Sequence, residues 1–124
     1  MKPGARSLAA LLVLVLVASA GSQWWQSGSE RRQGERLAAL AQPGDIRMLS
    51  SVTCPFCAAA RRWMDEHRVR YDECMIERDT QCNALYQATL ARGTPTLLVR
   101  GKVQLGFSPE RVIDSLEATP RAPG

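Results

Sequence analysis

Histidine is nearly missing from this chain: 124 residues contain one, His67. No serine or carboxylate motif accompanies it, so a His-centred nucleophile–base site has no foundation here. At the end of a helical stretch, His67 reads instead as a C-terminal cation or a half-buried core residue. Aromatic residues are also scarce, with two Phe, two Tyr and three Trp. A core must therefore come mainly from Leu, Val, Ile and Ala, with Trp63, Tyr71 and Tyr86 added to it. Charge of one sign is lacking too. Sixteen basic residues face twelve acidic ones, and two of the basic residues, Lys2 and Arg6, stand in the first segment. No basic stripe or face results, which excludes nucleic acid as a partner. There is no repeat and no low-complexity run. The length allows one domain.

The first segment reads as an export signal. Lys2 and Arg6 supply a positive start, residues 8–20 (LAALLVLVLVASA) an uncharged apolar run, and Ala18-Ser19-Ala20 the small residues of a cleavage site. As a helix that run reaches about 20 Å, short of the roughly 30 Å of a hydrocarbon core. Trp24 and Trp25 suit a membrane–water interface, however, and residues 7–25 would be just long enough for an uncleaved anchor in an inner membrane. Residues 1–20 are thus a signal peptide or an N-terminal anchor. Either way the rest is expected outside the cytoplasm, periplasmic or otherwise extracytoplasmic. Residues 21–44 read as a polar linker, with two helical turns at ERLAALAQ stopped by Pro43-Gly44.

Residues 45–118 carry the domain, followed by a disordered tail at 119–124. DIRMLSS alternates as a first strand, with Ile46, Met48 and Ser50 on one side and Arg47 and Leu49 on the other. CAAARRWMDEHRV is helical: Ala60, Trp63, Met64 and His67 form an inward stripe, and Arg61–Asp65 and Arg62–Glu66 are outer-face pairs. RVRYDECMI alternates as a second strand. DTQCNALYQATLARG makes a second helix, capped by Asp79 or Thr80 and ended by Gly93. Thr96–Val99 and Lys102–Leu105 form a hairpin turned at Arg100-Gly101, and Ser108-Pro109 opens a last helix with Val112, Ile113 and Leu116 inward. The order β-α-β-α-β-β-α predicts an α/β fold with a mixed four-stranded sheet.

At the first strand-to-helix turn stands Thr53-Cys54-Pro55-Phe56-Cys57. Cys54 precedes the helix, where free N–H groups and the dipole favour a thiolate, the attacking form of cysteine. Pro55 suits a first turn because it has no N–H to leave unpaired. Cys57, one turn in, is shielded and within reach of Cys54. Phe56 forms an exposed apolar rim beside the thiols. The CPFC turn, the Gly-Thr-Pro-Thr stretch some forty residues later and the hairpin ending in Gly before a last helix together resemble glutaredoxins. That resemblance implies a thioredoxin-like fold, Cys54 as nucleophile, Cys57 as resolving thiol and Pro95 as a cis proline beside them. Thr94, turned outward by the cis bond, would pair with the backbone of a bound thiol peptide. Thr53, Pro55, Phe56, Thr94 and Pro95 are accordingly the candidate substrate-binding residues. Two positions depart from the family pattern. Ser51 stands where a lysine often does, and Gly106-Phe107-Ser108 replaces a Gly-Gly-acid run, closer to redoxins that draw electrons from a thioredoxin reductase.

Cys74 and Cys82 remain. In an exported chain an even cysteine count favours a structural disulfide between them; a second redox pair, free thiols and a four-cysteine zinc site are the alternatives, the last opposed by the spacing. The expectation is a thiol–disulfide oxidoreductase acting on protein or small-molecule disulfides. It would have no bound cofactor and no metal, glutathione as a candidate co-substrate and an unidentified thiol reductant. The rival is a redox-inert binding module on the same fold.

Overall fold

A break at Pro43 and Gly44 separates a long first helix from the sheet. The structure, a computed structural model, describes residues 4–120. They form α1 (Ala5–Leu40), β1 (Ile46–Ser50), α2 (Pro55–Glu66), β2 (Asp72–Met75), α3 (Thr80–Thr89), β3 (Thr96–Val99), β4 (Lys102–Leu105) and α4 (Pro109–Ala118). From β1 onward the order is the expected β-α-β-α-β-β-α, and the strands lie side by side as β2-β1-β3-β4. β1 runs parallel to β2, with Leu49 opposite Cys74, and antiparallel to β3, with Met48 opposite Leu97. A parallel pair needs a crossover, and α2 supplies it. β3 and β4 form the antiparallel hairpin, turned at Arg100 and Gly101, both left-handed (φ 49° and 84°). This is a thioredoxin-like α/β fold.

Opposed positions share a face, so Ile46, Met48, Leu97 and Val99 line one side of the sheet. They are buried in one core with Ala60 and Met64 of α2 and Val112, Ile113 and Leu116 of α4. Gln104 of β4, opposite Leu97, reaches the same side and donates to the Arg111 carbonyl (3.0 Å) and to Ser115 Oγ. The other face carries Leu49 and Thr96, both fully buried. Cys74 lies level with Leu49 and is bonded to Cys82 of α3, which places α3 on that face.

Two units make up the described chain, divided after Arg32. In the first, α1 is long and apolar enough to cross a membrane, and Leu8, Leu11–Val17, Trp24 and Trp25 are all exposed. In the second, the last turns of α1 depart from the expected polar linker at 21–44. Leu37 and Ala41 are buried with the core, and Gly34 packs so tightly that a Cβ there would stand 2.2 Å from His67 Nδ1. Gln33 Nε2 donates to Glu110 (3.1 Å), and Arg36 pairs with Glu117. The apolar positions of ERLAALA thus have a partner, and the domain begins before residue 45.

Smaller corrections have local causes. Leu49 is buried although it lies opposite the main core face, because β1 is an inner strand covered on both sides. β2 is shorter than RVRYDECMI, four residues at the sheet edge. α3 ends at Leu90 and not at Gly93: Leu90 itself takes the left-handed cap conformation (φ 59°). Arg61 turns from Asp65 to Glu73 of β2, and Asp65 accepts from the Tyr71 hydroxyl instead (2.9 Å). Of the expected tail at 119–124, Thr119 is the C-cap of α4 and its carbonyl accepts from Arg100; positions 121–124 lie outside the described residues.

Candidate active site at the start of α2

β1 carries the chain to Ser50, and a three-residue turn delivers it to Cys54, the N-cap of α2. Cys54 is extended (φ −102°, ψ 105°), and Pro55 occupies the first helical position. The Cys57 amide donates to Cys54 Sγ at 3.0 Å, so one of the free N–H groups of the helix start points at this sulfur. Cys54 and Cys57 are joined in a disulfide, with Cα atoms 5.2 Å apart. Cys54 is half-buried and Cys57 fully buried, so an incoming sulfur meets Cys54 first. Thr53, Pro55 and Phe56 surround it on the exposed side, Phe56 with 76% of its surface free.

From the other side comes the segment before β3. The Thr94–Pro95 bond is cis, and the Thr94 carbonyl oxygen lies 3.4 Å from Cys54 Sγ. Pro95 is buried, and its carbonyl accepts from the Gly106 amide (2.7 Å), which fastens this segment to the end of β4. Gly106 has φ 76°, a conformation suited to glycine. Phe107 packs on Trp63, ring centres 5.4 Å apart, beside the main core. Cys54, Cys57, Thr94 and Pro95 thus meet at one end of the sheet.

Two carboxylates that the sequence did not single out lie around this end. Glu73 of β2 accepts both Arg61 Nε and Nη2 at 2.8 Å and the hydroxyl of Ser50 at 2.7 Å. Burial works to raise the Glu73 carboxyl, but the Arg61 and Ser50 donors outweigh it and hold it below the usual carboxylate range. The same pairing raises Arg61 further. Glu77, in the turn between β2 and α3, accepts the Ser51 hydroxyl on one oxygen and the Val52 amide on the other (3.2 Å). The Ser51 hydrogen bond keeps its carboxyl below the ordinary range. Their serine partners lie more than twenty residues away in sequence and Arg61 twelve from Glu73, where no local pattern connects them.

Cys74 and Cys82 form a second disulfide, eight positions apart. It joins β2 to the first turn of α3, whose N-cap, Asp79, accepts from the Gln81 and Cys82 amides (2.9 and 3.1 Å). All four cysteines are engaged in these two bonds. No cluster of three or more His, Cys, Asp or Glu with metal-binding geometry exists among the described residues.

The family model described as Glutaredoxin matches residues 46–104, which holds the dithiol, the cis proline and the sheet up to the last residue but one of β4. No curated protein matches the chain. Among solved structures, a mutant of the thioredoxin-like protein BC3987 has a TM-score of 0.52 at 25% identity, covering 60% of this chain and 96% of its own. The glutaredoxin-like NrdH-redoxin from Escherichia coli has a TM-score of 0.49 at 19% identity, covering 63% and 97%. A buckwheat glutaredoxin in complex with glutathione has a TM-score of 0.43 at 19% identity, covering 73% and 78%. At these identities the likeness is one of fold.

Proposed function

Because residues 46–104 form a domain of the glutaredoxin family, we propose that this chain is a dithiol thiol–disulfide oxidoreductase in which Cys54 attacks and Cys57 resolves. The family implies the reaction type; the residue roles rest on the site. The observation that carries them is the Cys57 amide aimed at Cys54 Sγ at the start of α2. Once reduced, a sulfur at that point is favoured as thiolate by the N–H donor and the helix dipole.

The cycle balances on two electrons. Cys54 thiolate attacks one sulfur of a substrate disulfide; that S–S bond breaks, and the departing thiolate takes up a proton. Cys57, losing its proton, attacks Cys54 Sγ, forms the internal disulfide and releases the second substrate thiol. A thiol reductant then returns both cysteines to the reduced form. The chemistry needs no resident cofactor, since both sulfurs belong to the chain. Protein disulfides and small-molecule disulfides, glutathione mixed disulfides among them, are the proposed substrates. The exposed Phe56 offers a peptide an apolar rim, and the Thr94 backbone, whose carbonyl lies 3.4 Å from Cys54 Sγ, is its proposed polar partner beside the sulfur. The apolar helix α1 supports a location outside the cytoplasm, with residues 1–20 as signal or residues 7–25 as tether.

Disulfide reduction by purified protein with a dithiol reductant provides the test. Cys54→Ser is expected to abolish turnover, and Cys57→Ser to accumulate a covalent mixed disulfide with substrate, visible by intact mass. Unchanged turnover in the Cys54→Ser protein would return the chain to the binding-module reading.

A further inference from the structure

The turn that presents Cys54 has no strand or helix to hold it. Its amides are satisfied by Ser51 and by Glu77: Cys54 N–H donates to the Ser51 carbonyl (3.3 Å), Thr53 N–H to Ser51 Oγ (3.4 Å) and Val52 N–H to Glu77 (3.2 Å). Two of these three depend on Ser51. Its hydroxyl hydrogen is donated to the other Glu77 oxygen, which leaves the lone pairs of Oγ facing Thr53 N–H and Oγ1. A single carboxylate therefore reaches the turn at two points, directly at Val52 and through the Ser51 hydroxyl at Thr53, while the Ser51 carbonyl holds the Cys54 amide.

Glu77 is itself held. It lies in the turn closed by the Cys74–Cys82 disulfide. On one side the Ile76 amide donates to the Ser50 carbonyl (2.9 Å), extending the β1–β2 pairing up to the neighbouring residue. On the other, the Arg78 and Asp79 amides both donate to the Met75 carbonyl (3.1 Å). Among charged neighbours, Arg78 stands beside Glu77, while Arg61 is engaged with Glu73.

We propose that Glu77 is a positioning residue for the dithiol: from the disulfide-closed β2–α3 turn it clamps Ser51 and Val52, and so fixes Cys54 against the Cys57 amide. This rests on the oxidoreductase reading for its purpose but not for its measurement. Glu77 acts on Cys54 in two ways of opposite sign. Its negative charge disfavours a thiolate, whereas its clamp keeps the thiolate's donor aligned.

The two effects separate by substitution. In a Cys57→Ser background Cys54 is a lone thiol, no reductant is required, and Cys74–Cys82 stays closed. The pH profile of iodoacetamide alkylation then reports the Cys54 thiol. Glu77→Gln removes the charge but can still accept from Val52 and donate to Ser51; Glu77→Ala removes charge and clamp together. The clamp predicts that Glu77→Ala alkylates about threefold more slowly than Glu77→Gln at pH 6, the scale of one misaligned hydrogen bond. Ser51→Ala, which leaves the charge in place, is expected to alkylate more slowly than the parent, and adding it to Glu77→Ala is expected to cost less than its effect alone. Equal rates in the Gln and Ala variants would overturn the proposal, as would full additivity with Ser51→Ala. Thermal unfolding of each variant verifies folding, and Ser51→Ala carries the test if Glu77→Ala does not fold. A wild-type chain that turns over no disulfide removes the oxidoreductase reading and leaves this alkylation order readable.

Discussion

Single side chains make separable demands on this domain. Leu90 ends α3 in the left-handed region with 85% of its surface exposed. A branched side chain there gains no packing and bears the steric cost of that conformation. Leu90→Gly is therefore expected to stabilise the fold by about 0.5–1 kcal/mol in denaturant unfolding. Phe56, also exposed, is predicted to behave in the opposite manner. Phe56→Ser should leave stability within about 0.5 kcal/mol of wild type, while KM for a protein disulfide rises several-fold and kcat hardly moves. The contrast also shows what a sequence can disclose at this scale. Cys54 before a helix and Thr94-Pro95 before a strand are local strings whose chemistry is self-contained. Glu77 is not, because a carboxylate in a turn has no meaning until the fold brings Ser51 to it.

Elements were legible where they carry their own punctuation. Ser108 and Pro109 open α4 as their chemistry dictates, with Ser108 accepting from the Arg111 amide, and the Arg100-Gly101 turn closes the hairpin. The losses came where a distant partner outbid a near one. Arg61 had Asp65 one turn away, yet it chose the bidentate seat on Glu73, and a planar guanidinium fits two carboxylate oxygens better than one passing contact. That pair ties α2 to the edge strand β2, and pH reads it. The Glu73 carboxyl is depressed in the fold below its ordinary 4.5, so its contribution is complete above that value and is lost as pH falls through the depressed one. The stability advantage of wild type over Glu73→Gln, about 1 kcal/mol at neutral pH for a partly exposed pair, is expected to shrink as the pH is lowered from about 5 to about 3. Urea melts at each pH would register it.

At the scale of the molecule, the fold from β1 to α4 followed from hydrophobic period and turn residues, but its N-terminal limit did not. Residues 26–36 are mostly charged or polar, and a helix wetted on nearly every side leaves no stripe to recognise. Leu37, fully buried, is what that reading missed. Leu37→Ala is expected to destabilise the domain by about 2–4 kcal/mol. A chain beginning at Gln33 should unfold at higher urea than one beginning at Asp45, because only the former brings its own cover for the core. The Cys74–Cys82 bond adds a second whole-fold term: closing a loop of that length is worth about 2–3 kcal/mol against the unfolded chain, so the Cys74→Ser/Cys82→Ser protein should melt correspondingly lower. Between helix and sheet, positions 42–44 stand in solvent while Ala41 and Asp45 on either side are buried. A protease that nicks this short bridge would sever the backbone without parting the pieces. The helical fragment would stay seated by Leu37 and Gly34, and gel filtration would show one particle until denaturant pulled two polypeptides from it.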